Sequence, residues 1–166
     1  MERIEPMRLG APETERGLIH SEITRPILGA FYSVYSEVGY GFLEAVYANC
    51  LSLVLEEAGL TVGHQVPYRI MFRGCCVGTY RADLVVESRV VVEVKAGASI
   101  IPHHLLQLRN YLSAANLEVG LLLNFGPKPE FRRVVWTRNH PPSSAPSARS
   151  ASAFRGASLP TEPHSG

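Results

Sequence analysis

The sequence predicts an α/β domain in which a mixed β-sheet is flanked by α-helices. Two runs rich in β-branched residues, 80–86 and 90–95, are separated by the charged break 87–89, a pattern typical of a β-hairpin. Segments with apolar residues at helical spacing precede and follow this hairpin, and a nearly continuous apolar run comes after them. The predicted order of elements is helix, helix, three strands, helix, strand, strand.

The composition suits one compact domain, and its net charge is too small to attract nucleic acid by itself. Of the 166 residues, 46% are hydrophobic, which is enough for a core. The net charge is only +1, so contact with nucleic acid would need a local basic patch or a dimer. The three cysteines form no CxxC pair, and residues 1–17 contain no continuous apolar segment. We therefore expect reduced thiols, no signal peptide, no membrane span and a cytoplasmic location.

The chain divides into three parts by composition. Residues 1–18 mix charged residues, proline and glycine without periodicity and predict a flexible leader. Residues 19–137 hold all the periodic segments and predict the folded domain. Residues 138–166 are rich in proline, serine and alanine, which cannot bury a core, so this tail is expected to be disordered.

The first helix is predicted to begin at Thr24, which can cap it, with Pro26 in the first turn, and to end before Gly39. Its apolar stripe contains Ile27, Leu28, Phe31, Val34, Tyr35 and Val38. Part of this stripe, formed by Phe31, Tyr35 and Val38, could serve as a homodimer surface, although burial inside the monomer is the commoner fate of such a face.

The second helix is predicted to run from Phe42 to about Ala58. Its predicted apolar side contains Leu43, Val46, Cys50, Leu53 and Val54. Glu44 lies in the first turn, where the helix dipole favours a carboxylate by about 0.3–1 kcal/mol. Tyr47 follows three residues later, so Glu44 and Tyr47 are expected to form a joint polar edge.

The remaining elements follow from alternation and from apolar runs. Strands at 65–72, 80–86 and 90–95 predict a three-stranded antiparallel meander. A helix is expected from Pro102 to about Ala115, with Gln107 and Tyr111 on one face. The run Val119 to Asn124 predicts a strand that is buried on both faces, and a turn leads from it to a last strand at 132–136.

Three charged residues near the ends of apolar strands form the first candidate site. Glu93 and Lys95 are two apart and share a face, and Asp83 can face them from the neighbouring strand. Burying such charges is costly unless they are paired or bind a metal. The spacing alone leaves two interpretations open, a cross-strand salt bridge at a sheet edge and a functional site.

Several blocks, spread over roughly residues 20–136, resemble the GxxExxY proteins, a small bacterial family of the PD-(D/E)XK nuclease superfamily. One difference is Tyr35, at a position where that family often has histidine. The blocks, in chain order, are Gly41 to Tyr47 (GFLEAVY), Gln65 to Pro67, Tyr80 to Leu84 (YRADL), Glu93 to Ala96 (EVKA), Gln107 to Leu112, and Gly120 to Gly126 (GLLLNFG).

This resemblance implies a restriction-endonuclease-like mixed sheet and a set of catalytic residues. The acidic residue of the superfamily corresponds to Asp83 and its (D/E)xK motif to Glu93 and Lys95. An additional helical carboxylate corresponds to Glu44, and a frequent helical glutamine to Gln107. Tyr47, Tyr111 and Arg81 are expected to contact the substrate.

Phosphodiester hydrolysis gives these residues specific expected roles. Asp83, Glu93 and Glu44 would bind Mg²⁺, with Mn²⁺ as a substitute, because hard cations prefer oxygen ligands. Lysine is a poor base at its ordinary pKa of about 10.4, so Lys95 is expected to orient the attacking water. Gln107 could hydrogen-bond that water or the phosphate. Adjacent His103 and His104 diverge by about 100° on a helix and are expected to be helix-start residues rather than metal ligands.

Two classes of function remain open at this point. One is a metal-dependent nuclease, an endonuclease acting on DNA in preference to RNA, with a homodimer as one way to cut both strands. The alternative is a non-catalytic module that binds nucleic acid or protein with the same fold. The near-neutral charge and small size favour the module, whereas the complete set of acidic residues and lysine favours the nuclease.

Overall fold

A computed structural model describes residues 19–137, so the predicted leader and tail lie outside the described residues. Within residues 19–137, eight elements follow one another. They are α1 (Ser21–Val38), α2 (Glu44–Glu57), β1 (Val62–Phe72), β2 (Cys75–Val86), β3 (Val90–Lys95), α3 (Pro102–Ala115), β4 (Val119–Phe125) and β5 (Pro129–Val135).

The strands form one five-stranded sheet in the order β1-β2-β3-β4-β5. The β1–β2, β2–β3 and β4–β5 pairs are antiparallel, whereas β3 and β4 are parallel and are joined through α3. A parallel pair requires such a crossover, because its strands begin at the same edge of the sheet. The structure confirms the mixed sheet flanked by helices and the three-stranded meander.

The two faces of the sheet are covered by different helices. On one face α1 and α2 pack over the larger hydrophobic core, to which β3 contributes Val90, Val92 and Val94. On the other face α3 covers a smaller core with Leu108 and Leu112, to which β3 contributes Val91. Because side chains alternate along a strand, the residues of β3 that follow Val91 on the α3 side are Glu93 and Lys95.

Helix α1 begins earlier than the sequence predicted. It starts at Ser21 after His20, whose backbone is left-handed with φ 55, so the predicted cap at Thr24 is wrong and Thr24 is buried within the helix. Phe31 is fully buried and lies edge-on to Phe125 of β4. The face of α1 that was predicted as a homodimer surface is therefore part of the monomer core.

The buried side of helix α2 overlaps only in part with the predicted one, because Cys50 and Val54 pack against the core but the other three predicted residues do not. Leu43, Val46 and Leu53 are exposed at 76%, 38% and 59%. Apolar residues surround this helix on most sides, so periodicity does not select one stripe, and packing against the sheet decides. The buried residues are Tyr47, Ala48, Leu51, Ser52 and Leu55.

The other predicted elements differ from the structure mainly at their ends. Helix α3 and strand β3 have the predicted bounds, and all seven residues of β4 are buried, as expected for a strand covered on both faces. Strands β1 and β2 begin earlier than predicted, and β5 begins at Pro129 instead of Arg132. None of the described helices is long and apolar enough to cross a membrane.

Candidate active site

The carboxylates of Asp83 and Glu93 meet where strands β2 and β3 separate. The ladder between these strands ends with the Leu84–Val92 pair. Beyond it, the Asp83 Oδ2 atom accepts a hydrogen bond from the Val94 N–H at 2.9 Å. Asp83 is also near enough to the Glu93 carboxylate for its negative charge to affect the pKa of Glu93. The two acidic groups therefore lie near each other where the strands separate.

Glu93 is an ionisable group in a buried position. It is only 6% exposed. Burial and the negative charge of Asp83 raise the pKa of Glu93 to about 7, although a hydrogen bond from Tyr80 and the charge of Lys95 act in the opposite direction. The Lys95 Nζ atom lies 4.0 Å from Glu93 Oε2. An additional cation beside this carboxylate would offset the unfavourable charge.

A stack of tyrosines borders Glu93 on the α3 side. The Tyr80 ring stacks on Tyr111 with centroids 3.2 Å apart and on Tyr68 with centroids 6.3 Å apart. The Tyr80 hydroxyl donates a hydrogen bond to Glu93 Oε1. Burial and then the charge of Glu93 raise the pKa of Tyr80, so this hydroxyl keeps its proton. Tyr80 thus fixes the orientation of the Glu93 carboxylate.

Gln107 and Tyr111 lie on α3 at the margin of this stack. The Gln107 Nε2 group donates a hydrogen bond to the Tyr111 hydroxyl, and both residues are half-buried. Burial raises the pKa of Tyr111, and the charges of Glu93 and Asp83 raise it further, which reflects how near the carboxylates are. The structure therefore brings Gln107 and Tyr111 to the acidic pair.

Arg81 lies on the exposed side of Asp83, away from the buried Glu93. The Gln65 Nε2 group donates to Asp83 Oδ1 at 3.2 Å, and the Arg81 Nη1 group donates to the Gln65 carbonyl at 3.3 Å. Gln65 has a positive φ of 45 within β1, a conformation that side chains other than glycine rarely adopt. Gln65 thus connects the exposed arginine to the carboxylate, a role that the sequence prediction did not include.

Glu44 lies near the site but does not join the carboxylate pair. It is exposed at the start of α2, and its Oε1 atom accepts a hydrogen bond from the Ala96 N–H at 3.4 Å. Within residues 19–137, no group of three or more His, Cys, Asp or Glu side chains could hold a metal ion together. Direct coordination by Glu44 alongside Asp83 and Glu93 is therefore not present in this arrangement.

Tyr47 lies in the core, and its predicted contact with substrate is wrong. It is 0% exposed, and its ring stacks on Phe125 with centroids 4.1 Å apart. Its hydroxyl donates to the Gly39 carbonyl at 3.0 Å and accepts from the Phe42 N–H at 3.1 Å. The expected polar edge with Glu44 is absent for the same reason. Tyr47 instead holds the loop between α1 and α2 against the core.

Asn124 secures the chain just after Lys95. Its side-chain amide donates to the Gly97 carbonyl and accepts from the Gly97 N–H, both at 3.0 Å. A β-carbon at Gly126 would collide with that same carbonyl, so the segment allows only glycine there without movement. The sequence signal for this role is an asparagine in an otherwise apolar strand. The motifs in the sequence predict no such role for Asn124.

The two histidines at the start of α3 behave as helix-start residues. The His104 Nδ1 atom accepts a hydrogen bond from the Ile101 N–H at 3.5 Å. Burial and then the positive charge of Lys95 lower the pKa of His104, so this helix end lies within the electric field of the site.

A mixed sheet with a helix on its active face, two carboxylates at the opening of a hairpin and an adjacent lysine define a restriction-endonuclease-like domain. The model of the PD-(D/E)XK nuclease superfamily matches residues 21–134. The chain belongs to this superfamily. The superfamily is one of nucleases, whose members typically use divalent metals.

Comparison with individual proteins gives little beyond the superfamily. The crystal structure of SSO0001 is similar at 20% sequence identity with a TM-score of 0.40. The match covers 63% of this chain and 61% of that chain, so this chain spans about three fifths of that structure's length. No curated protein matches the chain significantly.

Proposed function

We propose that this protein is a metal-dependent nuclease that hydrolyses phosphodiester bonds of nucleic acid, with DNA preferred to RNA. The observation that supports this most is the pair of carboxylates, Asp83 and the buried Glu93, with Lys95 Nζ 4.0 Å from Glu93. Within the superfamily, the blocks quoted above support membership of the GxxExxY family.

The chemistry of the donor set fits a hard divalent cation. Asp83 and Glu93 offer carboxylate oxygens, and Mg²⁺ is commonly held by one or two carboxylates with waters completing its shell. Asp83 and Glu93 would hold Mg²⁺, or Mn²⁺ in its place, and Glu44 would contribute through a water. When bound, such an ion neutralises the charge that develops on the phosphate and promotes ionisation of a bound water.

The remaining residues of the site position the water and the substrate. Lys95 is half-buried on the same face as Glu93 and would orient the attacking water while offsetting charge on the phosphate. Gln107, held by Tyr111, would hydrogen-bond the water or the phosphate without adding charge. Arg81, exposed beside Asp83, would contact the nucleic-acid backbone.

A non-catalytic binding module on the same fold is the alternative function. It is favoured by the observation that the described residues place two carboxylates, and not three metal-ligating side chains, within reach of one ion.

A cytoplasmic location and a homodimer remain predictions from the sequence. A homodimer would need a surface other than the buried face of α1.

Cleavage assays on the full-length protein test the nuclease proposal. Circular and linear DNA, single- and double-stranded, and RNA are incubated with Mg²⁺, Mn²⁺ or chelator. We expect metal-dependent cleavage that falls at least ~100-fold in Asp83→Ala and Lys95→Ala, in line with the contribution of positioned catalytic groups. Exposed Glu57→Ala is the control and should cleave normally.

The same assay can contradict the proposal. If folded wild-type protein cuts none of these substrates with either metal, or if Asp83→Ala cuts as fast as wild type, the nuclease assignment fails. Linearisation of circular DNA would identify the cleavage as endonucleolytic.

A further inference from the structure

The outer part of the β1–β2 hairpin projects beyond the sheet. Strands β1 and β2 pair from Val62–Val86 to Phe72–Cys75, whereas β3 pairs only with 84–86 of β2. We name residues 69–79 the hairpin arm. Its four ladder pairs extend roughly 13 Å past the Tyr68–Tyr80 pair at about 3.3 Å per residue. Every residue from 69 to 77 is exposed.

This hairpin forms a local basic patch on a chain that is near-neutral as a whole. Residues 62–82 contain three arginines, Arg69, Arg73 and Arg81, and no aspartate, glutamate or lysine. The whole chain has a net charge of +1, so the remainder of the chain is net negative. Positive charge is therefore concentrated on one projecting element, as is typical of surfaces that contact phosphate backbones.

The tip of the hairpin arm is apolar and aromatic as well as basic. Phe72 is 60% exposed, and Met71 and Val77 are 53% and 61% exposed. The Arg73 guanidinium lies 5.2 Å from the centre of the Phe72 ring. An exposed aromatic ring next to an arginine can stack on a base whose face is not covered by a neighbouring base pair.

The arginines also lead from the arm to the carboxylate pair. In the ladder Arg69 faces Thr79 and Arg81 faces Pro67, so Arg69 and Arg81 lie on one face of the hairpin, two positions apart. Arg81 hydrogen-bonds to the Gln65 carbonyl, and the Gln65 side chain hydrogen-bonds to Asp83. Tyr68 and Tyr80, which border Glu93, point to the other face of the hairpin. A polyanion on the arginine face would therefore reach the candidate active site at the open end of the β2–β3 ladder, through Gln65 and Asp83.

We propose that the hairpin arm binds nucleic acid that carries unpaired bases and delivers its backbone to Asp83 and Glu93. Arg69 and Arg73 contact phosphates, and Phe72 stacks on an unpaired base. This inference deepens the proposed nuclease function and rests on it. A second copy of the chain fits the arm less well, because like charges of two arms would repel each other.

Binding without metal tests the arm separately from catalysis. Fluorescence anisotropy with full-length protein in chelator uses a labelled single-stranded DNA and a fully paired hairpin DNA of matched composition. Arg69→Gln/Arg73→Gln should bind both at least 10-fold more weakly, and the slope of log affinity against log salt should fall by about 1–2. Phe72→Ala should weaken single-strand binding about 5-fold or more and duplex binding much less.

A matched control removes the same charge elsewhere. Arg25 lies exposed on α1, and Arg89 lies exposed at the turn at the other end of β2. Arg25→Gln/Arg89→Gln should bind both probes within 2-fold of wild type. Circular dichroism and thermal unfolding verify that each variant is folded.

Several results would overturn the arm proposal. They are arm variants that bind like the control, wild-type protein that binds neither probe, and equal effects of Phe72→Ala on both probes. Sedimentation that shows a wild-type dimer and a Phe72→Ala monomer with unchanged DNA affinity would assign the arm to self-association. If the protein cleaves nucleic acid but the arm variants bind it like wild type, only the arm proposal fails. If binding depends on the arm but no metal-dependent cleavage occurs, only the nuclease proposal fails.

Discussion

The two faces of strand β3 carry opposite kinds of residue in one six-residue segment. Towards α1 and α2 the strand presents Val90, Val92 and Val94, which join a core without charge. Towards α3 it presents Val91 and then Glu93 and Lys95, beside a tyrosine stack. The first face stabilises the fold, and the second holds charges whose burial opposes it. We infer that the α3 face is kept for chemistry at a cost that the other face offsets.

The largest expected effect is on the stabilising face. Leu51 is fully buried on α2, whereas Leu53, two residues away, is 59% exposed. Leu51→Ala should lower the free energy of unfolding by about 2–5 kcal/mol through lost burial and a cavity. Leu53→Ala should change it by no more than about 0.5 kcal/mol. Urea unfolding of both variants measures the difference, and equal losses would contradict the face that we assign to α2.

The next effect is on the charged face and depends on pH. The folded protein holds a proton on Glu93 up to about pH 7, whereas the unfolded chain releases it near the ordinary pKa of 4.5. The folded state thus binds more protons between these values, and stability falls as pH rises through this window. Above pH 7 the accumulated loss is about 3 kcal/mol, because one pKa unit corresponds to about 1.4 kcal/mol.

Glu93→Gln should remove this part of the pH dependence. In metal-free protein at pH 8 the variant should be more stable than wild type, by up to about 3 kcal/mol. Glu57→Gln, which changes the same charge at an exposed position on α2, is the control. Unfolding curves at pH 5 and pH 8 test this, and a variant that is destabilised at pH 8 would show that Glu93 contributes to stability instead of opposing it.

The smallest expected effect concerns Tyr80, which orients Glu93. Tyr80→Phe removes the hydroxyl that hydrogen-bonds to Glu93 and keeps the ring in the stack. Loss of such a supporting hydrogen bond typically lowers metal affinity about 10–100-fold. Tyr68→Phe keeps the same stack and is the control. Calorimetric titration with Mn²⁺ compares the two, and equal affinities would contradict a positioning role for Tyr80.

Much of the fold could be predicted from the sequence because its elements have strong local signals. The meander, β3 and α3 were predicted from β-branched runs, alternation and a proline at a helix start. The buried side of α2 could not be predicted from the sequence, because apolar residues such as Leu43 and Leu53 occur on most sides of the helix. Only the position of the sheet decides which of them are covered.

The nearness of Asp83, Glu93 and Lys95 was predictable from the sequence, but the details of their contacts were not. The spacing of Glu93 and Lys95 indicates a shared face, and the resemblance added Asp83. The hydrogen bond from the Val94 N–H to Asp83 depends on where the ladder between β2 and β3 ends, which local sequence does not encode. The predicted contact of Tyr47 with substrate is not possible in this arrangement because its ring is buried against Phe125. Local sequence does not reveal this contact, since the two residues are far apart in the chain.

The central claim is that Asp83 and Glu93 form a divalent-metal site on the α3 face. The most direct test follows the thermal unfolding of wild type, Asp83→Asn and Glu57→Gln as Mg²⁺ or Mn²⁺ is added. An ion that binds only the folded state stabilises it by about 2.7 kcal/mol at 100 times its dissociation constant. We predict a rise in unfolding temperature for wild type and Glu57→Gln and none for Asp83→Asn. An unchanged wild-type unfolding temperature, or an equal rise in Asp83→Asn, would contradict the claim.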